Sequence, residues 1–353
     1  MRLSTTFAAA MLVTAPALAF DGWHLLDATV IPGVASGWDY ISFDTQGGHV
    51  YLGHRKDGLQ VFDPRAKKVV ATITDTAAHS SNGATLIPEF DLGISNNEDG
   101  TITPFKISTH AASPAVKLAE EIDTSHYDPA TKRIVVNVNP GKDGTELVVL
   151  QAPKLDKVGT IKVPSRKAEG AVADGKGKFF LAEQDLGKIA VLDTKEMKVT
   201  AEWTVAGCGK PTGMDVDPAT DRLFVSCRST ATTKPAFVVL KTTDGSVVFS
   251  VEIGDGSDGV IYDAVRHRIF SANGVHANLS VIEQVDADHY KLVETLGTRA
   301  GVKVLAFDAK ANRLYSMVAE GSADAGKKIN TAVSPYYANT FLANTFTVLT
   351  YGK

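Results

Sequence analysis

Seven times along this chain a short apolar run ends in an acid and a turn, and further short apolar runs follow before the pattern restarts. Residues 48–75, GHVYLGHRKDGLQVFDPRAKKVVATITD, hold the clearest copy. They read as three strands, 49–53, 59–62 and 68–73, separated by KDG and DPRAK, where Gly and Pro supply backbone angles that strands lack. Copies recur at 178–204, 222–251 and 268–296. One more strand precedes each unit, as in DYISFDTQGG, DTSHYDPATKR, TGMDVDPATDR, DGVIYDAVRHR and KVLAFDAKANR. The unit is therefore four strands. Its starts align at Asp39, Asn82, Asp123, Glu169, Thr212, Asp258 and Lys303, 41 to 46 residues apart. A four-stranded sheet of this size cannot bury both faces until neighbours stack on it, so the period predicts an all-β fold, a seven-bladed β-propeller with antiparallel blades.

The two ends complete the pattern. The seventh unit supplies strands at 314–318 and 346–349, and the chain then reaches Lys353 without a fourth. WHLLDATVI at 23–31 resembles the outer strand of the sixth unit, YKLVETL, so the N-terminal strand is expected to complete the last blade and remove both sheet edges. Residues 1–19 have a basic start at Arg2, a short apolar middle and Ala17-Leu18-Ala19, the pattern of a secretory signal peptide cleaved near Ala19. The expectation is one propeller domain over 20–353, a monomer, periplasmic or secreted, with no membrane span. Thirty-six Lys+Arg against 40 Asp+Glu give a formal charge of −4. Acidity spread over many turns does not suit a nucleic-acid groove.

VYLGHRKDGLQVFDPRAKKVVATI, DVDPATDRLFVSC and the DPATKR turn resemble the YVTN-repeat, YncE-like family of bacterial seven-bladed propellers. YLGH, FLAE, FVSC and FSAN stand where the family has its naming tetrapeptide. The resemblance implies a scaffold or binding role more than a defined reaction.

Loops from an outer strand to the next inner strand, and from the second strand to the third, emerge on one face of a propeller. The aligned positions Asp39, Asn82, Asp123, Glu169, Thr212, Asp258 and Lys303 therefore fall at the mouth of the central channel. Four carboxylates there raise one another's pKa unless Lys303, Arg55 or Arg228 compensates. These residues form the candidate ligand site, for a small ligand, a metal ion or an exported protein partner. His54, His79 and His126 come from the first three blades and could gather beside Asp39 or Asp123 around a divalent metal, although no HxxxH or CxxC spacing supports a metal site. The competing reading is a scatter of unrelated histidines.

No G-x-S-x-G, HExxH, phosphate-binding G-x-x-x-x-G-K-S/T or CxxCH sequence occurs. Two functions of different class remain: a non-catalytic binding propeller, and a hydrolase of the lactonase kind working through mouth carboxylates and histidines. A quinone-cofactor dehydrogenase would carry regularly repeated blade tryptophans, and only Trp23, Trp38 and Trp203 are present. Cys208 and Cys227 both fall on the mouth side of the fifth unit, and an even pair in an exported chain suggests a disulfide. Residues 320–345 interrupt the last unit where other units have short hairpin loops. Pro335, Tyr336, Tyr337, Phe341 and Leu342 give this insertion an apolar end, which either covers the channel as a lid, with Tyr336 or Tyr337 meeting the ligand, or covers the seam between the first and last blades.

Overall fold

The computed structural model describes residues 21–327 and 338–353. Seven antiparallel sheets of four strands form a ring. Blade 1 is built from Ile41–Phe43, Val50–Gly53, Leu59–Asp63 and Lys68–Thr72. Blades 2 to 6 repeat this order with inner strands Ser81–Ile87, Ile122–Asp128, Ala168–Ala173, Lys210–Asp217 and Ser257–Asp263. Blade 7 runs Ala306–Asp308, Arg313–Val318, Thr347–Gly352 and then His24–Val30 from the N-terminus, so the two ends pair in one sheet. Inner strands adjoin those of neighbouring blades, and the Asp258 N–H donates to the Lys303 carbonyl at 2.9 Å where blade 6 meets blade 7.

Burial follows from position in the blade. Second and third strands such as Phe179–Glu183 and Leu59–Asp63 are buried along almost their whole length, because adjacent blades cover both faces. Outer strands alternate: Lys198–Thr204 exposes every second residue, the period of a half-buried strand. A large apolar cluster lies at the seam, where Trp23, Trp38, Phe270, Tyr315, Phe346 and Tyr351 pack between blades 6, 7 and 1.

The acid that closes each inner strand folds its own turn. Asp128 accepts from the Ala130 N–H at 2.9 Å and the Thr131 hydroxyl at 2.8 Å, and Asp217 repeats the arrangement with Ala219 and Thr220. Asp44, Asp174, Asp263 and Asp308 each accept one or more N–H groups of the same turn. Blade 2 closes instead with a 3-10 turn, Pro88–Phe90.

A candidate binding site at the channel mouth

The ring positions are aimed inward by bulges. In blades 2 to 6 the pairing of first and second strands slips between Ser81 and Gly83, Ile122 and Thr124, Ala168 and Ala171, Pro211 and Met214, and Ser257 and Gly259. The residues left unpaired include Asn82, Asp123, Glu169, Thr212 and Asp258. A bulged residue escapes the in-and-out alternation and can be turned toward the axis. Glycine follows four of them because inner strands approach closely there: a Cβ on Gly170 would lie 2.4 Å from the Thr212 carbonyl oxygen, and one on Gly213 2.9 Å from the Gly259 nitrogen.

The mouth is a chain of ion pairs with one gap. Lys303 Nζ lies 2.9 Å from Asp39 and 3.0 Å from Asp258, bridging blades 1 and 6. Arg228 pairs with Asp258 and donates through Nε to the Ser257 carbonyl at 3.2 Å. Arg55 pairs with Asp39 at 2.9 Å and also with Glu98. Lys167 pairs with Glu169 at 2.9 Å. Asn82 donates to the Ile122 carbonyl at 2.9 Å, and the Thr212 hydroxyl accepts from Gln184 at 3.1 Å. Five carboxylates thus meet four cations, and Asp123 has no ion pair or side-chain hydrogen bond among the described residues.

This gap decides protonation. Burial opposes ionisation of Asp39, yet Lys303 and Arg55 outweigh it and hold the carboxyl below its ordinary range. Burial first, then Glu169 and Asp39, push Asp123 up to about 7, with Lys167 and Lys303 opposing. Glu169 chiefly, against burial, raises Lys167, which therefore stays charged. Tyr40 is also part of this environment: burial, Asp123, Glu169 and Asp39 all raise its phenol well above the ordinary value. A small polar cavity of about 110 Å³ opens beside Asp123, with Asn137, Asn139, Arg166 and Lys167 in its wall.

The three histidines do not join this site. His54 is fully buried, stacked on Phe346 at 3.6 Å with Nδ1 3.1 Å from Gln60, and burial lowers its pKa despite Asp57 and Gln60. His79 pairs with Asp99 at 2.6 Å outside the ring. Burial pushes His126, packed near Phe179, down to about 4. No group of three His, Cys, Asp or Glu side chains suited to a metal forms among the described residues. The cluster does not form because each imidazole is engaged apart from the others, His54 with Gln60 and Phe346, His79 with Asp99, and His126 near Phe179.

Cys208 and Cys227 are joined by a disulfide with Cα atoms 5.2 Å apart. It ties the loop entering blade 5 to the end of its second strand, next to Arg228. Of the insertion, Phe341 packs edge-to-face on Trp38 at 5.3 Å and against the seam cluster, while Leu342 stays exposed. Pro335, Tyr336 and Tyr337 lie outside the described residues. Lys167 and Glu98 are the members that sequence reading missed. Lys167 stands two residues before a ring position, and Glu98 aligns with Arg55 and Arg228, so both signals were present in the spacing.

No protein-family model and no curated protein sequence matches this chain. Solved structures do. A chain of the mitotic checkpoint complex aligns with a TM-score of 0.70 at 11% identity, covering 90% of this chain and 95% of its own. A chain of the hydrazine synthase of Kuenenia stuttgartiensis aligns at 0.67 and 12%, covering 81% and 94%. U3-55K aligns at 0.72 and 7%, covering 93% and 99%. The likeness is one of fold alone. Together with the seven sheets it supports a seven-bladed propeller architecture, and at such identities it carries no activity across.

Proposed function

We propose that this chain is an exported, YncE-like propeller whose channel mouth binds the cationic group of a small ligand, without catalysing a reaction. The observation that carries the reading is Asp123, a carboxyl in a ring of five carboxylates and four cations that lacks a charge partner of its own among the described residues while Glu169 and Asp39 press on it. A ligand ammonium group beside it would relieve that repulsion and let Asp123 ionise. The polar cavity at its side offers room for such a group, and carbonyl and amide oxygens of Asn137 and Asn139 are suited to accept its protons. An organic ammonium fits better than a divalent metal, because the neighbouring carboxylates are already engaged by Lys303, Arg55 and Lys167. Export rests on residues 1–19 and agrees with the Cys208–Cys227 disulfide.

The test is to isolate the protein natively from the exported fraction and analyse what it carries. Mass spectrometry of the extract is expected to find a small amine, present in wild type and lost in Asp123→Asn. Stoichiometric metal in the same sample, or turnover of a lactone panel that Asp123→Asn abolishes, would overturn the reading in favour of a metal site or a hydrolase.

A further inference from the structure

A second cavity lies off the axis, where blades 6 and 7 meet the loop leading into blade 1. Its volume is about 410 Å³, within the range of small-molecule sites. Trp38, Val275 and Val318 give it an apolar side, and glycines 274, 301 and 321 leave stretches of bare backbone in its wall. Trp38 is held in place by Phe341 and is only 5% exposed, so the indole is a fixed surface. Gly301 passes close against it at φ +90, a backbone conformation that suits glycine, and a Cβ there would lie 3.2 Å from the indole ring.

Two opposite charges stand in this wall, Arg299 and Glu320. The only side-chain hydrogen bond of Arg299 among the described residues is a long one, 3.4 Å to the Thr347 hydroxyl, and no carboxylate lies within ion-pair distance of it. Glu320 uses its backbone N–H on Thr345 at 3.0 Å, and its carboxylate has no cation within that distance among the described residues. Both charges are exposed and neither is bridged to the other. A ligand that is only anionic would serve Arg299 and repel from Glu320; one that is only cationic would do the reverse. A net-neutral ligand carrying both charges and an apolar body satisfies all three features of the wall.

We infer that this cavity binds a free α-amino acid with an apolar side chain, its carboxylate on Arg299, its ammonium group on Glu320 and its side chain against Trp38 and Val318. The inference does not rest on the reading of the channel mouth.

Calorimetry with L-phenylalanine and L-leucine tests it, with 3-phenylpropionate and 2-phenylethylamine as probes that each lack one charge, these titrations being run in Asp123→Asn so that an amine bound at the channel mouth does not count. The amino acids are expected to bind, and each one-charge analogue to bind about tenfold or more weakly, the scale of one charge-assisted hydrogen bond. Arg299→Gln and Glu320→Gln should each weaken L-phenylalanine by a similar factor with an unchanged melting temperature. Saturating ethanolamine, a probe for the mouth, should leave L-phenylalanine binding in place. Absence of binding by both amino acids, equal binding by either analogue, indifference to both substitutions, or displacement by ethanolamine would each overturn the inference.

Discussion

Glu183 and Asp123 show how a residue's neighbours, more than its type, set its role. Burial first, then Glu202, push Glu183 up to about 7 at the end of a fully buried strand, with Lys188 opposing. The folded pKa lies above the unfolded value, so the folded protein holds an extra proton between roughly pH 4.5 and 7, and stability falls as pH rises through that window. Glu183→Gln should remove this fall, gaining on wild type as pH rises from 5 to 7 and holding the gain above 7. Chemical denaturation at several pH values checks it, and parallel curves for the two proteins would exclude the assignment. The ring positions were legible in the sequence because the period fixes them one by one. Their pairing was not, since Lys303 reaches Asp39 across the closure as well as Asp258 of the blade before it, and 264 residues separate Lys303 from Asp39. The histidines were misplaced for a related reason: aligned position says which face a side chain is near, and not whether it turns inward to a core partner such as Phe346.

At the scale of elements, bulges do what the repeat pattern alone could not reveal. The period-2 alternation of an inner strand would put Asn82 or Asp123 into an interface between blades, and the local slip in pairing turns it to the axis. The disulfide fastens one such region, where Arg228 reaches Asp258 of the next blade. Titration of the unfolded, unreduced protein should find no free thiol, and Cys208→Ser with Cys227→Ser should cost about 3 kcal/mol for a loop of this length. Two reactive thiols per chain would contradict the bond. In the insertion, Phe341 against Trp38 fits a cover for the seam, and the strands Gly321–Ser322 and Thr340–Phe341 pair at its base. Neither pairing was legible, because a two-residue strand leaves no periodicity to read.

The whole molecule depends on the meeting of its ends. His24–Val30 pairs with Thr347–Gly352, and Trp23 packs edge-to-face on Phe270 at 4.8 Å, so the N-terminal segment carries both sheet pairing and core packing. Removal of residues 20–32 should strip the last blade to three strands and yield aggregated or strongly destabilised protein. A soluble, monomeric deletion variant with an unchanged melting temperature would contradict closure. Closure also builds the mouth, since it places Lys303 of the last blade against Asp39 of the first and leaves Asp123 across the ring without an ion-pair partner among the described residues. The most direct measurement of that claim is calorimetric titration with ethanolamine at pH 6 and pH 8. If the ammonium group must displace the proton of Asp123, whose pKa burial, Glu169 and Asp39 push up to about 7, affinity should rise about tenfold between these pH values. Asp123→Asn should bind weakly and equally at both. Wild-type affinity that is independent of pH, or retained in Asp123→Asn, would contradict the account.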